Sequence, residues 1–432
     1  MKQSGKFWLA LVIFSLVGQV AWVVENMYLN VFIYKMFHAS ASAISVMVAA
    51  SAVSATVTTL LIGALSDKIG KRKLFICAGY ILWGISICSF ALIRMDWIQA
   101  LFPAAVSASA IGVSAVICMD CVMTFFGSAA NDACFNAWLT ESAHETNRGA
   151  VEGINAMMPL LAILVVFGGF MGFNQDLPET WTVIFCVIGA VVVILGAAGF
   201  FLIEEKPVDT KGNEHYFRNL FYGFRPRVIG QNQTLYMTLL AYGVFGIAIN
   251  IFMPYLILYF TVSLGMENYV LVFAPAIVLA AVFTAFYGRV FDRRGFQTAI
   301  LPALGLLMAG FAVLYLFRQT APVFVGTLLM MCGYLSGMAV FGAMLRRHTP
   351  ENKAGMFQGQ RIVGQVLLPG IIGPAIGAAV LKNAETVVNA DGTTSFIPNA
   401  SIFLAALIAT VAIFVVLLPL LYRLKKETRH GN

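Results

Sequence analysis

Polar positions along this chain are sparse and gathered into short breaks between long apolar runs. A hydrocarbon core about 30 Å thick needs roughly 20 predominantly apolar residues per helix, and the runs reach that length repeatedly. Hydropathy and breaker residues predict twelve spans, at 7–35, 40–65, 74–93, 115–140, 150–173, 181–203, 234–261, 269–291, 298–317, 322–345, 356–381 and 400–422. The first run follows Met1-Lys2-Gln3-Ser4-Gly5-Lys6 and extends to Tyr34, too long for the apolar region of a cleavable signal, so it reads as a span. Residues 98–112 fit either an extracytoplasmic helix or an extension of a neighbouring span.

The longest polar interruption runs from Glu204 to Gln233, with Pro207, Pro226 and five basic residues. It predicts a cytoplasmic linker over 204–233 between an N-terminal bundle, 1–203, and a C-terminal bundle, 234–432. Two internal echoes support that division. Gly63-Ala-Leu-Ser-Asp67-Lys68-Ile-Gly70 after the second span returns as Gly288-Arg-Val-Phe-Asp292-Arg293-Arg-Gly295 after the eighth, with Gly, Asp, base and Gly at identical spacing. Glu145-Thr-Asn-Arg148-Gly149, leading to Glu152-Gly153, is echoed more weakly by Glu351-Asn-Lys353-Ala, leading to Gln358-Gly359. Repeats of one orientation separated by half a chain fit two bundles related by an axis along the membrane normal. The expected fold is all-α and integral to the membrane, with twelve transmembrane helices in two pseudo-symmetric six-helix bundles.

Composition agrees: 60% of residues are hydrophobic and 11% charged, beyond what a water-soluble fold can cover. The net charge of +7 raises nucleic-acid binding as an alternative. With both termini placed inside, 23 lysines and arginines fall on the cytoplasmic side and 4 outside, so topology and anionic lipid account for the charge and no nucleic-acid partner is needed. The seven cysteines all lie in apolar runs, which indicates neither a disulfide framework nor a zinc site. The five histidines sit at loops or termini, no phosphate-binding glycine loop with a following lysine occurs, and no enzyme chemistry, metal or cofactor is implied. Energy for any transport must come from gradients.

Ionisable groups inside a bilayer cost several kcal/mol unless they face a cavity or a partner, so the few present are candidates for function. Glu25 lies near the middle of the first span, where Ser15, Gln19, Trp22, Asn26 and Asn30 form a polar stripe at helical spacing. Trp22 is suited to stack on a sugar ring, and Asn26 and Asn30 to bond hydroxyls. The fourth span carries Asp120, Thr124, Ser128, Asn131, Asp132, Asn136 and Thr140. Twelve residues of regular helix would separate Asp120 from Asp132 by roughly 18 Å, too far for one acid pair. Asp132 is the candidate for solute or proton, with Asn136 beside it. Asp120 is equally explained by a place near the outer interface. In the seventh span Asn250 is preferred to the aromatics Tyr242, Tyr255 and Tyr259, which read mainly as packing, and Gly246 and Pro254 mark bends. The eleventh offers Gln365 and Arg361, the latter either in a cavity or snorkelling to the cytoplasm, followed by Pro369, Gly370, Gly373, Pro374 and Gly377.

The run Gly63-Ala-Leu-Ser-Asp67-Lys68-Ile-Gly70-Lys71-Arg72-Lys73 resembles the cytoplasmic signature loop of the major facilitator superfamily, as does the topology. The resemblance implies a gating role for Gly63, Asp67, Gly70, Arg72, Asp292, Arg293, Gly295, Arg148 and Arg361. Gly63 would allow close helix approach, Gly70 a tight turn, and Asp67 a contact with a helix N-terminus or an arginine. Within that superfamily, residues 131–149, NDACFNAWLTESAHETNRG, are similar to the fourth helix and following loop of the glycoside-pentoside-hexuronide cation symporters. By position the solute-contacting aspartate of that group falls on Asp132. The second span has no acid before Asp67, so the sodium-binding aspartates of that group have no match.

The expectation is a monomeric secondary transporter that moves a small polar solute across the lipid bilayer by alternating access, as a symporter of a sugar or glycoside. A proton is the expected coupling ion and sodium the alternative. The rivals are a proton-driven exporter of amphipathic compounds and a carrier-like sensor that has lost transport. The expected place is the cell membrane, a bacterial inner membrane, with both termini cytoplasmic.

Overall fold

A computed structural model of the chain describes residues 4–103, 107–143, 147–204, 222–266, 268–349, 358–389 and 392–430. Among the described residues, twelve helices are long and apolar enough to cross a membrane: Gly5–Phe37, Ala41–Ser66, Arg72–Leu92, Ala108–Ser142, Gly153–Phe170, Pro178–Leu202, Gln233–Ser263, Val270–Arg289, Arg293–Leu316, Thr320–His348, Gly359–Val380 and Ser401–Lys426. They are called spans 1 to 12 below. Each predicted span has its counterpart, with ends displaced by up to five residues, and by seven at the start of span 4.

The ends have local causes. Ser4 caps span 1, its Oγ accepting the Phe7 N–H at 3.2 Å, and Ser40 caps span 2 the same way through Ala43. Between them the chain turns at His38, which takes a left-handed φ of 51°. The helix of span 2 closes at Gly70, also left-handed at φ 71°, whose N–H reaches Ser66 O at 2.8 Å. Residues 98–112 resolve into both readings offered by the sequence. A short helix, Met95–Leu101, precedes span 4, which begins at Ala108. Two short strands, Thr386–Val388 and Thr394–Phe396, pair between spans 11 and 12 and are absent from the sequence reading.

The chain divides into two compact units, residues 1–216 with 388–395, and 217–387 with 396–432. Of the predicted linker, residues 205–221 lie outside the described residues. The core of the first unit is aromatic: Trp83, Trp181, Tyr28, Tyr80, Phe14, Phe90 and Phe185 are almost fully buried. Spans 3 and 6 cross there through glycines, since a Cβ on Gly84 would lie 2.5 Å from Gly189 O. In the second unit spans 7 and 11 cross likewise, and a Cβ on Gly373 would lie 2.5 Å from Asn250 Cβ. Small residues at such contacts let backbones approach closely where lipid supplies no hydrophobic drive between helices.

Candidate transport site

Four spans depart from regular α-helix into wider π turns: Val24–Tyr28 in span 1, Ser128–Phe135 in span 4, Tyr259–Ser263 in span 7 and Val363–Leu367 in span 11. A π turn inserts one residue into the ladder, re-aims the side chains around it, and recurs at functional positions. Glu25, Asn26, Asp132 and Gln365 all lie on these segments.

Glu25 is 5% exposed and held by hydroxyls from two other spans. Ser51 Oγ donates to its Oε1 at 2.7 Å and Thr124 Oγ1 to the same oxygen at 2.8 Å, while the two hydroxyl oxygens stand 2.8 Å apart. Oε2 is buried with no hydrogen-bond partner among the described residues. Below this clasp the span 4 stripe is stitched along its own helix. Ser128 Oγ donates to Asp132 Oδ2 at 3.1 Å, Asn136 Nδ2 to Asp132 O at 3.4 Å, and Thr140 Oγ1 to Asn136 O at 2.9 Å. The π segment itself holds Ser128, Asn131 and Asp132, so the spacing reckoned for a regular helix does not carry from Asp120 to Asp132. Tyr80 of span 3 ties the stripe to span 1, donating to Asn131 Oδ1 at 3.2 Å and Phe14 O at 3.1 Å.

The remaining candidates of span 1 divide. Asn26 is exposed and donates to Trp22 O at 2.8 Å; Asn30 is fully buried and donates to Asn26 O at 2.7 Å, its Oδ1 without a partner among the described residues. Trp22 lies against Trp83, ring centroids 5.0 Å apart, so part of its surface is already used in packing. In the second unit Asn250 is half-buried and turned back to Gly246 O at 2.9 Å. Gln365 is half-buried, and Arg361 is half-buried with its Nε unpartnered among the described residues. Tyr255 and Tyr259 are buried, Tyr259 packed edge-on against Phe403 at 5.1 Å.

Where span 3 begins, Arg72 is 6% exposed. Its Nη2 lies 2.6 Å from Glu141 Oε1, its Nε 3.0 Å from Oε2, and its Nη1 donates to Ser66 Oγ at 2.7 Å. Ser66 in turn donates to Gly63 O at 3.0 Å. The corresponding break in the second unit falls at Gly295, φ 77° and ψ 177°, with Arg293 exposed beside it. The side chains of Asp67, Asp292 and Arg148, and nearly all of the second echo, lie outside the described residues.

Three features escaped the sequence reading. Asp120 is 2% exposed, buried among the spans. Ser51, which bonds Glu25, lies at i, i+3 and i+7 spacing with Ser54 and Thr58 in span 2, and that spacing was the available signal, though small hydroxyls are easily taken for packing residues. Glu141, the carboxylate that holds Arg72, sits inside the stretch that carries the finer resemblance, but nothing in its spacing names its partner.

A bundle of apolar helices enclosing an acid and its hydroxyl clasp is the architecture of a multi-pass membrane carrier. The Major Facilitator Superfamily profile matches residues 7–374, and the chain belongs to that family of secondary transporters. Solved structures share the fold over almost the whole length. A single-substitution variant of the nucleoside transporter NupG superposes with a TM-score of 0.72 at 12% identity, covering 96% of this chain and 99% of that one. A D-xylose-proton symporter gives 0.68 at 13% identity, covering 95% and 97%. The xylose transporter XylE from E. coli, in an inward open conformation, gives 0.66 at 15%, covering 95% of each. No curated protein matches the chain by sequence.

Proposed function

We propose that this carrier is a proton-driven symporter of a sugar or glycoside, working by alternating access as a monomer in a bacterial cell membrane, with both termini cytoplasmic. The observation that carries the reading is the clasp on Glu25: a carboxyl group inside a membrane span, held by two hydroxyls and facing no basic side chain among the described residues. A group so placed is costly as a bare anion and serves well as a proton carrier. Asp132, on the wide turn of span 4, supplies the polar group for solute, with Asn136 one turn further along. Support for a sugar comes from the similarity of residues 131–149 to the glycoside-pentoside-hexuronide group and from the shared fold of a D-xylose-proton symporter. The loops at Gly63–Arg72 and Asp292–Gly295 are assigned the gating role, with the Arg72–Glu141 ion pair as the latch of the first.

The test is proton movement in liposomes that hold the purified protein and an internal pH dye, challenged with glycosides, pentoses, hexoses and uronates, with and without sodium. Acidification by one class of sugar, lost in Glu25→Gln, is the expected result. Sugar uptake without proton movement would overturn proton drive in favour of sodium or facilitated diffusion, and no response to any sugar would overturn the solute class.

A further inference from the structure

Three acceptor oxygens in the first unit are buried with no donor among the described residues: Glu25 Oε2, Asn30 Oδ1 and Asp120 Oδ1. Their residues are 5%, 0% and 2% exposed. The helices bring them together. Thr124 Oγ1 bonds Glu25 at 2.8 Å, which sets spans 1 and 4 level at those two residues. Spans 1 and 4 run in opposite directions in the membrane. Asp120 therefore stands one regular turn from Thr124 on the same helix face, about 6 Å outward. Asn30 stands one wide turn from Glu25 in that same direction. No ion pair among the described residues reaches either acid: those of this unit are Lys35–Asp176, Arg72–Glu141, and Arg94 with Asp96 and Glu179. Among the described residues the other titratable groups near the pair are Asp132 and Cys121, neither of which brings a positive charge.

We infer that Glu25 and Asp120 act as one proton-binding site, a carboxyl and a carboxylate sharing a single proton between spans 1 and 4, with Asn30 Oδ1 as a further acceptor. Two like charges this close and this deep cannot both stay ionised without a counter-charge, and one shared proton removes one of them. The set is short for an alkali cation, which takes more oxygens than the three left open. The hydroxyls of Ser51 and Thr124 are committed to Glu25 Oε1, so they fix that carboxyl while Oε2 is left for the proton. The chemistry is one proton moving between two carboxyl oxygens, with no bond to carbon made or broken. On this assignment Asp132 is free to meet solute. The inference deepens the reading of proton drive and rests on it for its role in transport, but its test needs no solute.

Infrared titration of the purified full-length protein, in water and in heavy water, follows the carbonyl stretch of protonated carboxyls. The wild type, Glu25→Gln, Asp120→Asn and Asp132→Asn would be compared, with Asp120→Glu as a variant that keeps an acid at the site. The expected wild-type result is two coupled steps, distinct from any band that Asp132→Asn removes and separated by more than about one pH unit, as for acids that interact strongly. Glu25→Gln and Asp120→Asn should each abolish one step and move the midpoint of the survivor, whereas Asp120→Glu and Asp132→Asn keep two. Independent titration, with the Glu25 step unmoved in Asp120→Asn, would overturn the shared site even where sugar-driven acidification persists. Interdependent titration in a protein that no sugar acidifies would uphold the site and overturn the solute reading alone.

Discussion

Arg72, at the start of span 3, and Glu141, at the end of span 4, meet through two parallel contacts, Nη2 to Oε1 at 2.6 Å and Nε to Oε2 at 3.0 Å. The arginine side chain is 7% exposed and the glutamate 35%, so the pair is closed on one side and wet on the other. Removing the carboxylate from a buried guanidinium costs far more than removing an exposed pair. Glu141→Gln should destabilise the protein by about 1–3 kcal/mol, read as thermal unfolding in detergent. Arg72→Lys should recover only part of the wild-type stability, because an ammonium cannot make the forked contact. Equal melting of wild type and Glu141→Gln would remove the pair from the energetics of this end of the unit.

Two glycines at corresponding breaks should respond differently to substitution. Gly70 has φ 71° and ψ 14°, a left-handed conformation that asparagine tolerates. Gly295 has φ 77° and ψ 177°, a region that is essentially glycine's alone. A Cβ at Gly295 meets nothing within 4 Å, so the penalty there is backbone strain without a clash. Gly70→Asn should melt within a degree or two of wild type, while Gly295→Asn should lose about 1–3 kcal/mol. The reverse order would contradict the assignment of these conformations.

The crossing of spans 3 and 6 leaves no room for a methyl group. Gly189→Ala would place a Cβ 2.6 Å from Gly84 O and 2.9 Å from Cys88 N, both backbone atoms that cannot turn aside. Overpacking of this kind costs about 1–3 kcal/mol. Gly168→Ala in span 5, where nothing lies within 4 Å, should be neutral or slightly stabilising. Paired melting curves in the same detergent give the comparison directly.

The hydroxyl clasp can be removed without touching the acid. Ser51→Ala with Thr124→Val strips Glu25 Oε1 of the hydroxyls of Ser51 and Thr124, at a cost of about 1–3 kcal/mol for the buried acceptor. Proton movement in liposomes should weaken in the double variant more than in either single one, since each hydroxyl partly covers for the other. Unchanged proton movement would make the clasp a packing feature.

How much of this was legible beforehand follows from the range of each interaction. The twelve spans were readable because a bilayer imposes one length and one polarity on every helix that crosses it, and that constraint is written locally. Gly70 was readable as a turn, and Gly295 as its echo at identical spacing, because a left-handed backbone favours glycine and so ties residue type to backbone angle at one position. Glu25 stood out because an acid in a span is rare. The tertiary structure alone decided what Glu25 touches: Ser51 and Thr124 are 26 and 99 residues away, and which face of each helix turns inward depends on packing across spans. It also decided that Asp120 is buried, that Glu141 holds Arg72, and that wide turns re-aim Glu25 and Asp132. An apolar stripe in a membrane helix marks depth, whereas partnership between stripes is set by the close crossings of helices distant in sequence, as at Gly84 and Gly189.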